Sequence, residues 1–178
     1  VSAAVGTNPA VNLFLFRVLT LSTQNMRILE SKQFLPIPIE QAWEFFSSPE
    51  NLNAITPPHM GFKILSGFES GQKMHAGMVI RYLVSPIAGI PMNWVTEITH
   101  VDHLHFFVDE QRFGPYAFWH HQHIFRATAG GTEMTDIVHY KVPLGPLGLL
   151  ADWLFVRRQV QSIFDFRTKK LEALFPVN

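Results

Sequence analysis

The stretch Leu149–Phe175, LLADWLFVRRQVQSIFDFRTKKLEALF, contains neither glycine nor proline, and its reading decides the fold. Trp153, Val156, Val160, Ile163, Phe164, Leu171 and Leu174 fall on one stripe at helical spacing. Arg157, Arg158, Gln161, Asp165, Lys169 and Glu172 occupy the remaining surface. The spacing predicts a single helix roughly 40 Å long. A helix of that length with one apolar stripe needs a broad apolar partner. Arg167 interrupts the stripe between Phe164 and Leu171. It is expected to snorkel, its stem on apolar surface and its guanidinium in water.

The partner lies upstream. Phe62–Phe68, Met78–Ser85, Met92–Val101, His105–Arg112, Tyr116–Thr128 and Thr132–Val142 read as strands. Turn chemistry separates them, including Gly71-Gln72-Lys73, Gly114-Pro115 and Gly130-Gly131. Short turns between consecutive strands imply an antiparallel meander. Before it, Ile28–Leu35 reads as a strand stopped by Pro36 and Pro38. Ile39, Ala42, Trp43 and Phe46 then follow at helical spacing, and Ser48-Pro49-Glu50 starts a second short helix that Thr56-Pro57-Pro58 ends. The expected class is α+β: a curved seven-stranded antiparallel sheet wrapped around a long C-terminal helix, with two short helices after the first strand.

A chain of 178 residues is expected to form one domain, here 26–178. Residues 1–25 share none of its strand and helix logic and read as a dispensable arm. The apolar run Val11–Leu21 is interrupted by Arg17, is too short to span a bilayer, and follows no basic residue, so it predicts neither an integral membrane segment nor a targeting signal. Hydrophobic residues at 47% and charged residues at 16% exclude intrinsic disorder. Fourteen basic residues balance fourteen acidic ones, which disfavours nucleic acid as a partner because phosphate binding needs a basic excess. The absence of cysteine removes disulfides, thiolate catalysis and Cys-ligated zinc. Sixteen Phe, four Trp and three Tyr predict a large aromatic interior, not necessarily filled by the chain's own side chains.

This order of elements resembles the helix-grip fold of the START-like and pollen-allergen-like superfamily, SRPBCC. Three strings carry the resemblance: IPIPIEQAWEFFSSPENLNAITPP, GGTEMTDIVHYKVP and FVDEQRFGPYAFWHHQHIF. The last is similar to a bacterial subfamily of polyketide cyclase or dehydrase-like proteins. The resemblance spans Arg27 to Phe175. It implies a deep apolar cavity between sheet and long helix, and a cytoplasmic protein that binds a hydrophobic small molecule such as a lipid, a quinone or a polyketide-like ring system. A cyclase or dehydratase acting in the same cavity is the alternative, and the superfamily's breadth leaves that choice open.

The densest polar constellation lies in Val108–His123. Strand alternation groups His121 and His123 with Trp119 and Phe125, and Asp136 with Tyr140, on the expected inner face. Glu110 and Arg112 share a face with Phe106 and Val108, whereas Asp109 and Gln111 share the other with Phe107. A His beside a carboxylate can move protons near neutral pH, so the candidate catalytic residues are His121, His123, Asp136 and Glu110. A zinc site on His121 and His123, with Asp136 or Glu110 as third ligand, is the weaker reading. The expectation is therefore no metal and no cofactor. Trp43, Phe46, Tyr82, Trp94, Arg112, Trp119, Phe125, Tyr140, Trp153, Val160 and Phe164 are the expected ligand-binding residues. Glu97 is expected on the convex face or in a rim salt bridge.

Overall fold

The computed structural model describes residues 17–21, 26–87 and 89–177. Its sheet has eight strands in the order β1-β2-β8-β7-β6-β5-β4-β3, all neighbours antiparallel. The strands are β1 (Arg17–Leu21), β2 (Met26–Leu35), β3 (Lys63–Ser66), β4 (Val79–Ile87), β5 (Ile90–Asp102), β6 (Phe106–Phe113), β7 (Phe118–Thr128) and β8 (Gly131–Lys141). Strands β3 to β8 form the predicted meander, and β2 pairs on the far side of β8. The seven expected strands are present. To them β1 adds a short edge strand hydrogen-bonded along β2. It belongs to the segment read as a dispensable arm, most of which lies outside the described residues.

Helix α1 (Ile39–Phe46) starts after Pro38 and buries Ala42, Trp43 and Phe46. The second short helix is a 3-10 helix, Pro49–Ile55, followed by a single 3-10 turn at Pro58–Met60. At the β3–β4 edge the ladder shifts register, and Gly67 sits there with φ +123°, where a Cβ would collide with the Val79 carbonyl.

The C-terminal helix runs as α2 (Gly145–Ala151), a π-helical turn (Asp152–Val156) and α3 (Arg157–Leu174). The π turn corrects the predicted stripe. A π turn inserts one residue into the α register and rotates what precedes it. Asp152 therefore turns inward and is buried, while Trp153 points out and is 59% exposed. The buried line is Asp152, Val156, Val160, Phe164, Arg167, Thr168 and Leu171. Asp152 is matched under the helix by Arg27, whose Nε donates to it at 2.8 Å, and by the Tyr140 hydroxyl at 3.2 Å.

Three apolar clusters surround the interior. One unites Trp43, Phe46, Phe107, Phe125 and Leu171 between α1, the sheet and the end of α3. A second joins Tyr140, Val156, Val160 and Phe164 under the helix. The third lies on β4 and β5 around Ile80, Tyr82 and Ile98. Each large side chain so buried contributes about 1.5–3 kcal/mol. The first and third meet through Leu52, Met74 and Val101, and side chains of all three line the cavity described next.

Candidate functional site

A cavity of about 170 Å³ lies between the sheet and the long helix. An apolar cavity of about 150 Å³ is enough to admit benzene. Its sheet wall presents Tyr82, Trp94, Thr96, Ile98, Phe107 and Trp119; Phe46 comes from α1, and Ile163 and Phe164 come from α3. Trp94, Tyr116 and Trp119 pack mutually at ring separations of 4.9–5.6 Å. Among the described residues, the charged or imidazole side chains lining the cavity are Asp109, His121, His123 and Arg167. They come from three adjacent regions, β6, β7 and α3, and they meet Asp136 from β8.

Register explains the convergence. Asp109 lies opposite His121, and His123 lies opposite Asp136. Directly opposed residues share a face. His121 Nε2 lies 2.9 Å from Asp136 Oδ1 in a hydrogen bond, and His123 Nε2 lies 2.8 Å from Asp109 Oδ2 in another. The remaining nitrogens are also close to the carboxylates, with His121 Nδ1 3.3 Å from Asp109 Oδ2 and His123 Nδ1 2.9 Å from Asp136 Oδ1. His123 Nδ1 is nonetheless not aligned for a hydrogen bond and has no partner. The two imidazoles lie 3.8 Å apart. Arg167 reaches Asp136 at 3.6 Å and lies over the Phe46 and Phe164 rings, with its Nε unpartnered.

Burial alone would push both carboxyls up. The His121 and His123 groups outweigh it at Asp109 and hold that carboxyl below its usual range. At Asp136 the Arg167 guanidinium and both imidazoles do the same, holding it well below. Burial would likewise push the His121 imidazole down, but Asp109 and Asp136 outweigh it and raise its pKa.

The expected site residues divide into two groups. His121, His123, Asp136, Phe46, Tyr82, Trp94, Trp119 and Phe164 surround the cavity or its polar wall. Glu110 and Arg112 do not. They lie on the opposite face of β6, where Glu110 binds His120 at 2.8 Å and Arg112 at 2.9 Å, and Arg112 binds Glu97 at 2.6 Å. Glu110 lies opposite His120, so alternation carries it away from the cavity as surely as it carries Asp109 in. Trp43 and Phe125 pack against each other at 5.6 Å in the core beneath the cavity. Tyr140 and Val160 belong to the cluster under the helix, and the π turn exposes Trp153. Arg167 does not snorkel; it is buried at 8% exposure, held by Asp136 and two aromatic rings.

The sequence profile of the family described as polyketide cyclase / dehydrase and lipid transport matches residues 35–164. The chain belongs to this family. Solved structures share the family's fold at low identity. Protein Ms6760 from Mycobacterium smegmatis is 17% identical, with 89% of this chain and 95% of that one covered at a TM-score of 0.61. Protein CV1439 from Chromobacterium violaceum is 14% identical, with 85% and 98% covered at 0.62. The ginseng major latex-like protein 151 from Panax ginseng is 13% identical, with 86% and 99% covered at 0.59. A search of curated proteins returns no match. The α+β helix-grip architecture and the place in the START-like SRPBCC superfamily follow from the profile and these folds together. No described helix is long and apolar enough to cross a membrane.

Proposed function

We propose that this chain binds a hydrophobic small molecule in the cavity between sheet and long helix. Its apolar body would lie against Phe46, Tyr82, Trp94, Trp119 and Phe164, and its polar end would face Asp109, His121, His123 and Arg167. The observation that carries this reading is the segregation within the cavity: aromatic and aliphatic walls, with the charged and imidazole groups of the described lining residues clustered together around Asp109 and Asp136. Small-molecule sites pair an apolar envelope with a few convergent polar groups that fix orientation. The unpartnered Arg167 Nε is a donor, so the polar end should accept hydrogen bonds, as a carbonyl or carboxylate does. Lipids, quinones and polyketide-like rings all fit that description, and the family's description supports the same class. Native mass spectrometry of protein purified without detergent tests it. A retained apolar ligand supports the reading; protein that is uniformly ligand-free and fails to take up any fatty acid, quinone or aromatic ketone contradicts it.

The hydrogen-bonded His121–Asp136 pair beside the cavity favours a second reading, acid–base chemistry of the cyclase or dehydratase type on the bound molecule. His121→Ala combined with His123→Ala separates the two. A carrier keeps its ligand in the double variant, whereas an enzyme still binds but no longer converts it.

A further inference from the structure

We propose that Asp109, His121 and His123 form a binding site for a divalent first-row transition cation, with Asp136 and Arg167 beside it. One ligand atom from each of the three residues lies within 4.8 Å of the others. Two donors each about 2.1 Å from one ion, at tetrahedral or octahedral angles, stand about 3.0–3.4 Å apart. Of the separations of Asp109 Oδ2 from His123 Nε2 and His121 Nδ1, the first, 2.8 Å, falls just below that range and the second, 3.3 Å, falls within it. Two imidazoles and one carboxylate, without cysteine, suit zinc or iron in the divalent state.

Four imidazole nitrogens face two carboxylate oxygens, Asp109 Oδ2 and Asp136 Oδ1, and one of the four, His123 Nδ1, is buried without a hydrogen-bond partner. An ion beside Asp109 would reorganise these contacts. Each neutral ring then gives one nitrogen to the metal and directs its other N–H toward Asp136. Metal-bound histidines commonly make that outer contact with a carboxylate. The orphaned His123 Nδ1, 2.9 Å from Asp136, is the atom such an arrangement would engage. Arg167, 3.6 Å from Asp136, places a positive charge beside that outer carboxylate. The three ligands line the cavity, so open coordination positions would face any guest within it. This site does not depend on the cavity holding an apolar molecule.

Chelator-stripped protein titrated with Zn²⁺ by calorimetry, and with Co²⁺ by visible absorption, decides the matter. One equivalent should bind, with the cobalt spectrum of a nitrogen–oxygen site. Asp109→Asn and His121→Ala should remove that binding. Asp136→Asn, which leaves the ligands in place, should weaken it about 10–100-fold. Glu110→Gln, on the other face of the same strand, should leave it unchanged. Absence of stoichiometric uptake by the wild-type chain overturns the proposal without recourse to any variant. So does equal binding by Asp109→Asn and Glu110→Gln.

Discussion

Strands β6 and β7 carry two polar networks of nearly the same composition, one on each face. Inside, Asp109, His121, His123 and Asp136 are gathered around two shared oxygens and covered by the long helix. Outside, Glu110, His120, Arg112 and Glu97 form an open ladder in which every member meets water. Neighbours in sequence, Asp109 and Glu110 or His120 and His121, therefore have opposite roles. The difference lies in dielectric and in the freedom to be solvated. An exposed pair exchanges water for a partner at little net gain, whereas a buried group has no water to replace a partner that is lost.

The contrast has consequences that mutation can break. The largest effect is expected for Asp136→Ala, which leaves Arg167 buried without its carboxylate and removes one of the two carboxylates that hold the imidazoles; urea unfolding should register a loss of about 3–5 kcal/mol. A comparable or slightly smaller loss would show that the helix-side network of Asp152, Arg27 and Tyr140 is equally buried in character; Asp152→Ala probes it directly. By contrast Glu110→Ala should cost no more than about 1 kcal/mol by the same assay. A loss at Glu110 equal to that at Asp136 would erase the distinction between the faces.

The inner network also predicts a pH window for the metal-free protein. Asp136 has a depressed pKa in the fold, so its contribution is present above the ordinary carboxylate value of about 3.9 and is lost as pH falls through the folded value. His121 has a raised pKa, so its contribution is complete below about 6.5 and is lost as pH rises through the folded value. Both are present together between those limits. The stability gap between wild type and Asp136→Asn should therefore narrow in acid, which urea titrations across the pH range would detect. The smallest effect is expected on removing residues 1–25. Strand β1 is an edge strand paired along β2, so the chain beginning at Met26 should fold and bind guests as the full chain does, by circular dichroism and ligand titration.

Element order was legible in the sequence because its signals are local. Proline and glycine punctuate the strands, and the uninterrupted stretch after Leu149 announces the long helix. The inward set Trp119, His121, His123 and Phe125 was legible too, since two-residue alternation along β7 needs no knowledge of other strands. Asp109 was not. Phe107 and Val108 are both buried, so apolarity does not distinguish the faces of β6, and only the register opposite β7 does. A hairpin register depends on turn geometry, which Gly114-Pro115 marks but does not specify. Trp153 was misplaced for a similar reason: one inserted residue in the π turn shifts the helical phase, and no residue type in DWLFV signals it. Arg167 escaped because the charge that receives it, Asp136, lies on a distant strand.

The most direct test of the hollow, polar-walled interior is titration of detergent-free protein with benzoate, a single aromatic ring bearing one anionic group, followed by calorimetry. Saturable uptake of one molecule per chain is predicted, abolished by Ile163→Trp, which fills the cavity from the helix side, and weakened by Arg167→Met. Uptake that is absent, or that is identical in the filled variant, would contradict it.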